Sequence, residues 1–509
     1  MKNSLGREVL NGFKPFVSSD DYKNHLGEYK KIKEKELSGE VIFLKDLDEL
    51  FEKYIHNGMT ISFHHHLRNG DGVLNMILNE ITSRKIQDIH IASSSLFPNN
   101  DKALIKAIKE GCVTSITTNY LSGEVAKEIG RGALKNPLVM ETHGGRARSI
   151  ETGELAIDLA ILATPTVDRL GNGTGRVGKN ACGIMGYAIP DLHYAKKVVL
   201  ISDTLVDKLE KYDFDKKYVD AILLVPSIGE ASGIVSGTTN ITKDPVGLKI
   251  ARDAASLVKE LGLIKEGFSM QTGAGGTSLA VASFIKEEML KENLKGSFAS
   301  GGITSYFVDM MHEGLFDKLY DVQCFDLDAV KSSEVDDNHF MMDASMYGNP
   351  YYDERREGPI VNSLDLVVLG ATEIDLDFNV NVTTDSFGKI IGGSGGHSDT
   401  ANGAYVTIIT SNLIRSRIPI IKEHVTTIST PGSDIDVLVT ERGIAINPKR
   451  TDLIEKLKDS RLNIMKIEDL LKLSYEICGV PKKIEPGQKT IGVVKYRDGT
   501  VIDSIYEIK

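Results

Sequence analysis

The sequence repeats itself at long range. Ile157-Asp-Leu-Ala-Ile-Leu-Ala163, with Asp168 beyond it, has a counterpart in Leu364-Asp-Leu-Val-Val-Leu-Gly370 with Asp375, and the two stand 207 residues apart. Ser62-Phe63 and Ser269-Met270 keep the same spacing, while Val198-Val-Leu-Ile-Ser202 and Val406-Thr-Ile-Ile-Thr410 keep one of 208. Each match alone is within chance; their common offset is not. Repeats of this length are whole domains and not solenoid units. A chain of 509 residues accommodates two such domains. The division expected is an N-terminal extension over 1–56, a first domain over 57–235 and a second over 236–509, with the seam in the turn-rich stretch 226–247.

The local patterns give the fold class. Thr60 to Phe63 reads as a strand, 72–84 as a helix with Val73, Met76, Ile77 and Leu78 inward, Ile89 to Ala92 as a strand and 101–109 as a helix. Ahead of them, Leu47, Leu50, Phe51 and Tyr54 have helical spacing. Short apolar runs alternating with amphipathic helices predict α/β domains with mainly parallel sheets. A ligand site between two such halves is the default expectation. Sixty Lys and Arg against 71 Asp and Glu give a net charge of −11, which argues against a general polyanion binder and leaves only local positive pockets. No apolar leader or run of membrane-spanning length is present, and four scattered cysteines suit a reducing compartment. A cytoplasmic protein with no nucleic-acid or membrane partner is expected.

Glycine is the compositional skew, at 48 against 14 prolines, and much of it sits in four loops at 143–146, 171–178, 271–277 and 392–399. Glycine lets backbone N–H groups converge on an oxyanion or phosphate. The loop at 273–276 follows a strand pattern and opens a helix, the setting of an anion site, but it is neither a Walker A loop nor a dinucleotide fingerprint. In His64-His65-His66 alternate residues share a face, but no further metal-ligand motif accompanies them, so packing or substrate hydrogen bonding is expected and a metal is not. No Gly-x-Ser-x-Gly elbow is present, and Cys182 reads as a buried small residue in a Gly-rich turn.

Three segments, SMQTGAGGTSLAVASFIKE (269–287), IGGSGGHSDTANGA (391–404) and VLVTERGIAINPKRTDL (437–453), resemble in order those of acyl-CoA:carboxylate CoA-transferases. Together with GMTISFHHHLRNGDGVLN (58–75) and GRVGKNACGIMGYAIPD (175–191), the pattern is similar to the citrate lyase α-chain family over nearly the whole chain. The resemblance implies two tandem CoA-transferase-like domains and a citrate CoA-transferase activity that moves an acyl-carrier thiol from acetate to citrate. The thiol would belong to a CoA-derived prosthetic group on a γ (acyl carrier) subunit, with acetyl-CoA able to stand in and no tightly bound cofactor. A β subunit would then cleave the citryl thioester, in a complex where this chain is a homo-oligomer.

The same resemblance puts Gly301 where 4-hydroxybutyrate-type CoA-transferases carry a nucleophilic glutamate. It therefore implies direct attack by citrate through a mixed anhydride, without a glutamyl thioester. The site residues expected are Gly393, Ser394, Gly395 and Gly396 as an oxyanion loop, flanked by His397 and Asp399, with Gly273, Gly275, Gly276, Gly301 and Gly302 shaping the thioester channel. Arg146, Arg148 and Arg176 either clamp citrate carboxylates or form salt bridges, and His64 and His66 are candidates for substrate hydrogen bonds. The competing readings are a transferase for citramalate or another acid, with Glu441 as a fallback nucleophile, a sugar-phosphate isomerase, and a non-catalytic scaffold.

Overall fold

The computed structural model describes all residues except 18–28, 65, 236–239, 274, 353–357, 483–484, 486 and 509. His65, Ala274 and part of the expected extension and seam thus lie outside the described residues.

Two mainly parallel sheets organise the chain. In the first, seven parallel strands run in the spatial order Ala221–Leu224, Lys197–Ser202, Leu159–Ala163, Thr60–Phe63, Ile89–Ser93, Val113–Thr118, Leu138–Met140. In the second the order is Val437–Thr440, Val406–Thr410, Leu366–Gly370, Ser269–Thr272, Gly296–Ile303, Phe316–Cys324, His339–Met341. The connectivity is the same in both: the chain starts in the middle, builds to one side, then returns to build the other. The inner strands are buried on both faces, which is why they read as the near-continuous apolar runs LAILA and VVLIS. The helix Val73–Ser83 covers one face with Val73, Leu74, Ile77, Leu78 and Ile81 fully buried.

Aspartates repeat the resemblance in atomic detail. Asp158 accepts from the backbone N–H of Thr60 at 2.9 Å, and Asp365 accepts from that of Ser269 at 3.0 Å. Asp220 accepts from Val198 N at 2.8 Å and Asp436 from Thr407 N at 2.7 Å. Asp168 folds a turn onto the N–H groups of Leu170 and Asn172 and the Asn172 amide, as Asp375 does onto Asp377, Asn379 and the Asn379 amide. A carboxylate oxygen takes several N–H groups at once, so each fixes a loop that would otherwise leave donors unpaired. These contacts also correct the sequence register. Thr60, not Ser62, is the counterpart of Ser269, two residues from the match read off the sequence.

The outer strands depart from the expected division. Ile42–Leu44, assigned to the extension, pairs in parallel with Ala221–Leu224 and forms one edge of the first sheet. Thr490–Lys495 and Val501–Tyr506, assigned to the second domain, close the other edge: Val493 pairs with Val139, and the two C-terminal strands form an antiparallel ribbon. Asn3 donates to the carbonyls of Val501 and Ile502, so residues near both ends of the chain meet on the first half.

Candidate functional site

In open sheets of parallel strands ligands favour the carboxyl ends of the strands. The carboxyl ends of the first sheet carry Asn119 and Tyr120 after Val113–Thr118, and Thr142 and His143 after Leu138–Met140. The loop 391–396 of the second half is laid across them. Gly395 N donates to Asn119 O at 3.2 Å, His143 N to Gly395 O at 2.9 Å, and Leu121 N to Gly392 O at 3.3 Å.

Glycine is needed here by contact. A Cβ on Gly393 would stand 2.2 Å from Asn119 O, and one on Gly396 would stand 2.1 Å from the Tyr347 hydroxyl. Gly395 has φ +52°, left-handed backbone that side chains disfavour. The Gly395 N–H is used by Asn119, whereas those of Gly393, Ser394 and Gly396 have no protein acceptor among the described residues. The last three suit the expected oxyanion loop; Gly395 instead fixes it in place.

A line of contacts joins this loop to the second sheet. The Tyr347 hydroxyl accepts from Gln271 Nε2 at 3.0 Å, and Gln271 Oε1 accepts from Ser300 Oγ at 3.1 Å. Gly301 follows with φ +107°, at a break in strand register between Gly301 and Gly302. A Cβ on Gly301 would fall 2.7 Å from the Gln271 side chain, and one on Gly302 would fall 2.3 Å from the Phe325 ring. Gly301, Gly302 and Gly396 are therefore brought together. The exposed Gly275 caps the helix Gly276–Glu292, and Gly273 N is bonded to Val368 O at 2.8 Å.

Several polar candidates have structural work instead. Arg146 grips Asp191 with two bonds of 2.8 and 2.9 Å, and His64 Nε2 stands 2.7 Å from the same carboxylate, all buried. Burial alone would raise Asp191, but Arg146 and His64 outweigh it and hold the carboxyl far below its usual range. Both Arg146 and His64 are thus engaged by Asp191. Arg176 is held by Asp213 at 3.1 Å and by the carbonyl of Ser333, bridging the halves, and Arg148 pairs with Glu154 at 2.6 Å. His66 is buried, and its carbonyl accepts from Gln323 Nε2 of the other half at 3.4 Å. His397 donates from Nε2 to Gly370 O at 3.0 Å and accepts at Nδ1 from Thr430 Oγ1 at 2.8 Å, and burial lowers its pKa to about 4. It anchors the loop as a neutral ring. Glu441 accepts from Leu413 N at 2.9 Å in a hairpin turn of the second sheet, and burial pushes the Cys182 thiol up.

Asp399 is a latch between the halves. It accepts from Thr142 Oγ1 at 2.8 Å and from Gly144 N at 2.9 Å, at the start of the helix His143–Glu151. Burial raises its pKa to about 6 against the pull of Arg497. The folded chain thus holds a proton here that the unfolded chain, at about 3.9, has released. This group's contribution to stability is complete below that unfolded value and fades as the pH rises through 6. Relative to the parent chain, Asp399→Asn should therefore gain stability with rising pH between these two values, by up to about 1.4 kcal/mol per pH unit. Urea midpoints of both proteins across that window give the difference; parallel curves would mean an ordinary carboxyl.

At this junction Asn119, Tyr187 and Arg68 were not singled out from the sequence, and His143 only as the first residue of the 143–146 loop. Asn119 Oδ1 is buried without a partner among the described residues, and so is Nδ1 of His143. The His143 ring packs on Tyr187 at 4.2 Å, with Nε2 3.3 Å from where a Gly395 Cβ would be. Burial, helped by Arg146 and His64, lowers the His143 pKa to about 3, so the imidazole is neutral at pH 7. Arg68, with φ +53°, stands between Phe325 at 4.8 Å and Phe97 at 5.6 Å. The position of Asn119 and His143 just past apolar strand runs is the signal that would have found them.

A family model described as citrate lyase, alpha subunit, matches residues 42–508. The chain is 44% identical over 454 residues to the citrate lyase alpha chain of Haemophilus influenzae, covering 89% of this chain and 90% of that one. A Streptococcus mutans protein described as the alpha subunit of citrate lyase, solved in complex with citrate, aligns with a TM-score of 0.91 at 42% identity over 100% of both chains. The malonate decarboxylase alpha subunit of Acinetobacter baumannii is similar in fold alone, with a TM-score of 0.62 at 13% identity over 92% of this chain and 98% of that one.

Proposed function

The chain belongs to the citrate lyase alpha-subunit family, and from that premise we propose that it is the citrate CoA-transferase of a citrate lyase complex, working by direct acyl exchange. A citrate carboxylate attacks the carbonyl of an acetyl thioester. The tetrahedral oxyanion collapses with loss of the thiolate, leaving a mixed anhydride of citrate and acetate. The same thiolate then attacks the citryl carbonyl and acetate departs, so that one thioester is exchanged for another. The thioester substrate is the CoA-derived group of an acyl-carrier subunit, or acetyl-CoA in its place, and a separate lyase subunit consumes the citryl thioester.

The observation that carries the direct route is Gly301. A glutamate there would be strained at φ +107° and its Cβ would fall 2.7 Å from the end of the Gln271 side chain, which supports a route without the covalent glutamate of the transferases that the sequence resembles. What remains is positioning and charge stabilisation. Holding the acid and thioester together is worth on the order of 7–11 kcal/mol. A well-placed donor to the oxyanion adds about 3–4 kcal/mol, and the unengaged N–H groups of Gly393, Ser394 and Gly396 are suited to that task.

The test is mass spectrometry of the purified chain with acetyl-CoA and an equimolar mixture of citrate, citramalate and malate. Citryl-CoA should dominate. A preference for citramalate would overturn the substrate, and absence of any new thioester would favour a scaffold. Trapping with borohydride should leave every glutamate unmodified; a reduced glutamyl adduct would refute the direct route.

A further inference from the structure

Among the described residues the other buried and half-buried arginines come with carboxylates, among them Arg146 with Asp191, Arg148 with Glu154, Arg176 with Asp213 and Arg497 with Asp399, whereas the half-buried Arg68 pairs with none. Its Nη1 is buried without a hydrogen-bond partner among the described residues. Its surroundings are aromatic, with Phe97 from the first half and Phe325 from the second. Ring faces attract a cation without neutralising it, and burial already works against the charge, lowering the pKa. A guanidinium stays charged all the same, and leaving one without a counter-charge where it is partly desolvated has a cost. The left-handed backbone at Arg68 adds to that cost.

Its place in the fold connects it to the glycine loop. Phe97 packs against Tyr120 at 5.5 Å, and Tyr120 comes within 3.5 Å of where a Gly392 Cβ would be. Phe325, on its other side, covers Gly302. Arg68 is thus linked to one loop through Phe97 and Tyr120 and to the other through Phe325, the two loops assigned to the acyl exchange.

We propose that Arg68 determines the acceptor acid, by binding a carboxylate of a di- or tricarboxylate that is not itself being transferred. This rests on the transferase reading above. The guanidinium fork matches a carboxylate with two parallel bonds, and in a partly desolvated setting such a pair is strong. Acetate has only its reacting carboxylate, so exchange of acetate into acetyl-CoA has no use for Arg68. The arrangement distinguishes polycarboxylates from simple acids by one charge.

The experiment compares two reactions of the purified chain: citryl-CoA formation from acetyl-CoA, and exchange of labelled acetate into acetyl-CoA. In Arg68→Gln the KM for citrate should rise on the order of 10- to 100-fold, as expected for loss of a charged hydrogen-bond pair, with acetate exchange within about threefold of the parent. Arg68→Lys, which keeps the charge but not the fork, should fall between. The melting temperature of Arg68→Gln should not fall, because no partner is left behind. An equal rise in the KM for acetyl-CoA with both acids would place Arg68 on the phosphates of the thioester substrate and overturn the proposal, as would unchanged kinetics with a lowered melting temperature. Absence of acetate exchange in the parent chain would count against the transferase reading and not against Arg68.

Discussion

Asp191→Ala lowers stability by about 3–5 kcal/mol, the usual cost of removing one partner from a buried ion pair. The carboxylate is fully buried and receives two bonds from Arg146, one from Ser62 and the contact with His64. Without it a guanidinium and an imidazole are stranded beneath the junction, and Arg146 belongs to the same helix whose first turn meets the glycine loop. The urea midpoint should fall far below that of the parent, and activity should be lost with it. The double variant Asp191→Ala with Arg146→Met should regain most of the stability, since removing both charges leaves nothing unpaired. A double variant no better than the single one would show that the cluster matters for its shape and not for its charges.

Gly396→Ala is expected to lower the turnover of citryl thioester formation about 100- to 1,000-fold, the effect of losing one oxyanion donor. The added methyl would begin 2.1 Å from the Tyr347 hydroxyl, whose ring is 2% exposed and cannot swing away. The loop must move, and its N–H groups move with it. Tyr347→Phe in the same chain removes the obstructing oxygen and should restore a good part of the rate. That rescue has its own cost, because Gln271 Nε2 loses its acceptor, typically ~1–3 kcal/mol of stability. Full activity in Gly396→Ala alone would remove this loop from the chemistry.

The repeat was legible because strand interiors and Asp-centred turns are set by near neighbours in sequence. Asp168 with Asn172 and Asp375 with Asn379 build the same turn from the same spacing. The two-residue slip at Ser62 arose because apolar strands look alike at several registers, and only the aspartate clamp on Thr60 distinguishes them. The closing edge of the first sheet was not legible. Nothing local in residues 490–506 says which sheet they will join; the vacancy beside Leu138–Met140 decides it. The arginines failed for a related reason. Arg146 and Arg68 both lie in glycine-bearing stretches, and what separates a structural cation from an available one is a carboxylate forty-five residues away in the first case and its absence in the second. The glycines were easier, since a backbone role leaves its mark in the residue type itself.

The C-terminal ribbon sets an order on biogenesis. As the chain leaves the ribosome, the first sheet can form its seven inner strands early, but Leu138–Met140 stays an open edge until Thr490–Lys495 emerges. For the whole synthesis of the second half that edge is a template for unwanted pairing, a hazard chaperones would have to cover. The two halves are therefore interlocked despite their common plan, since the open edge of one is closed by strands that follow the other in the chain.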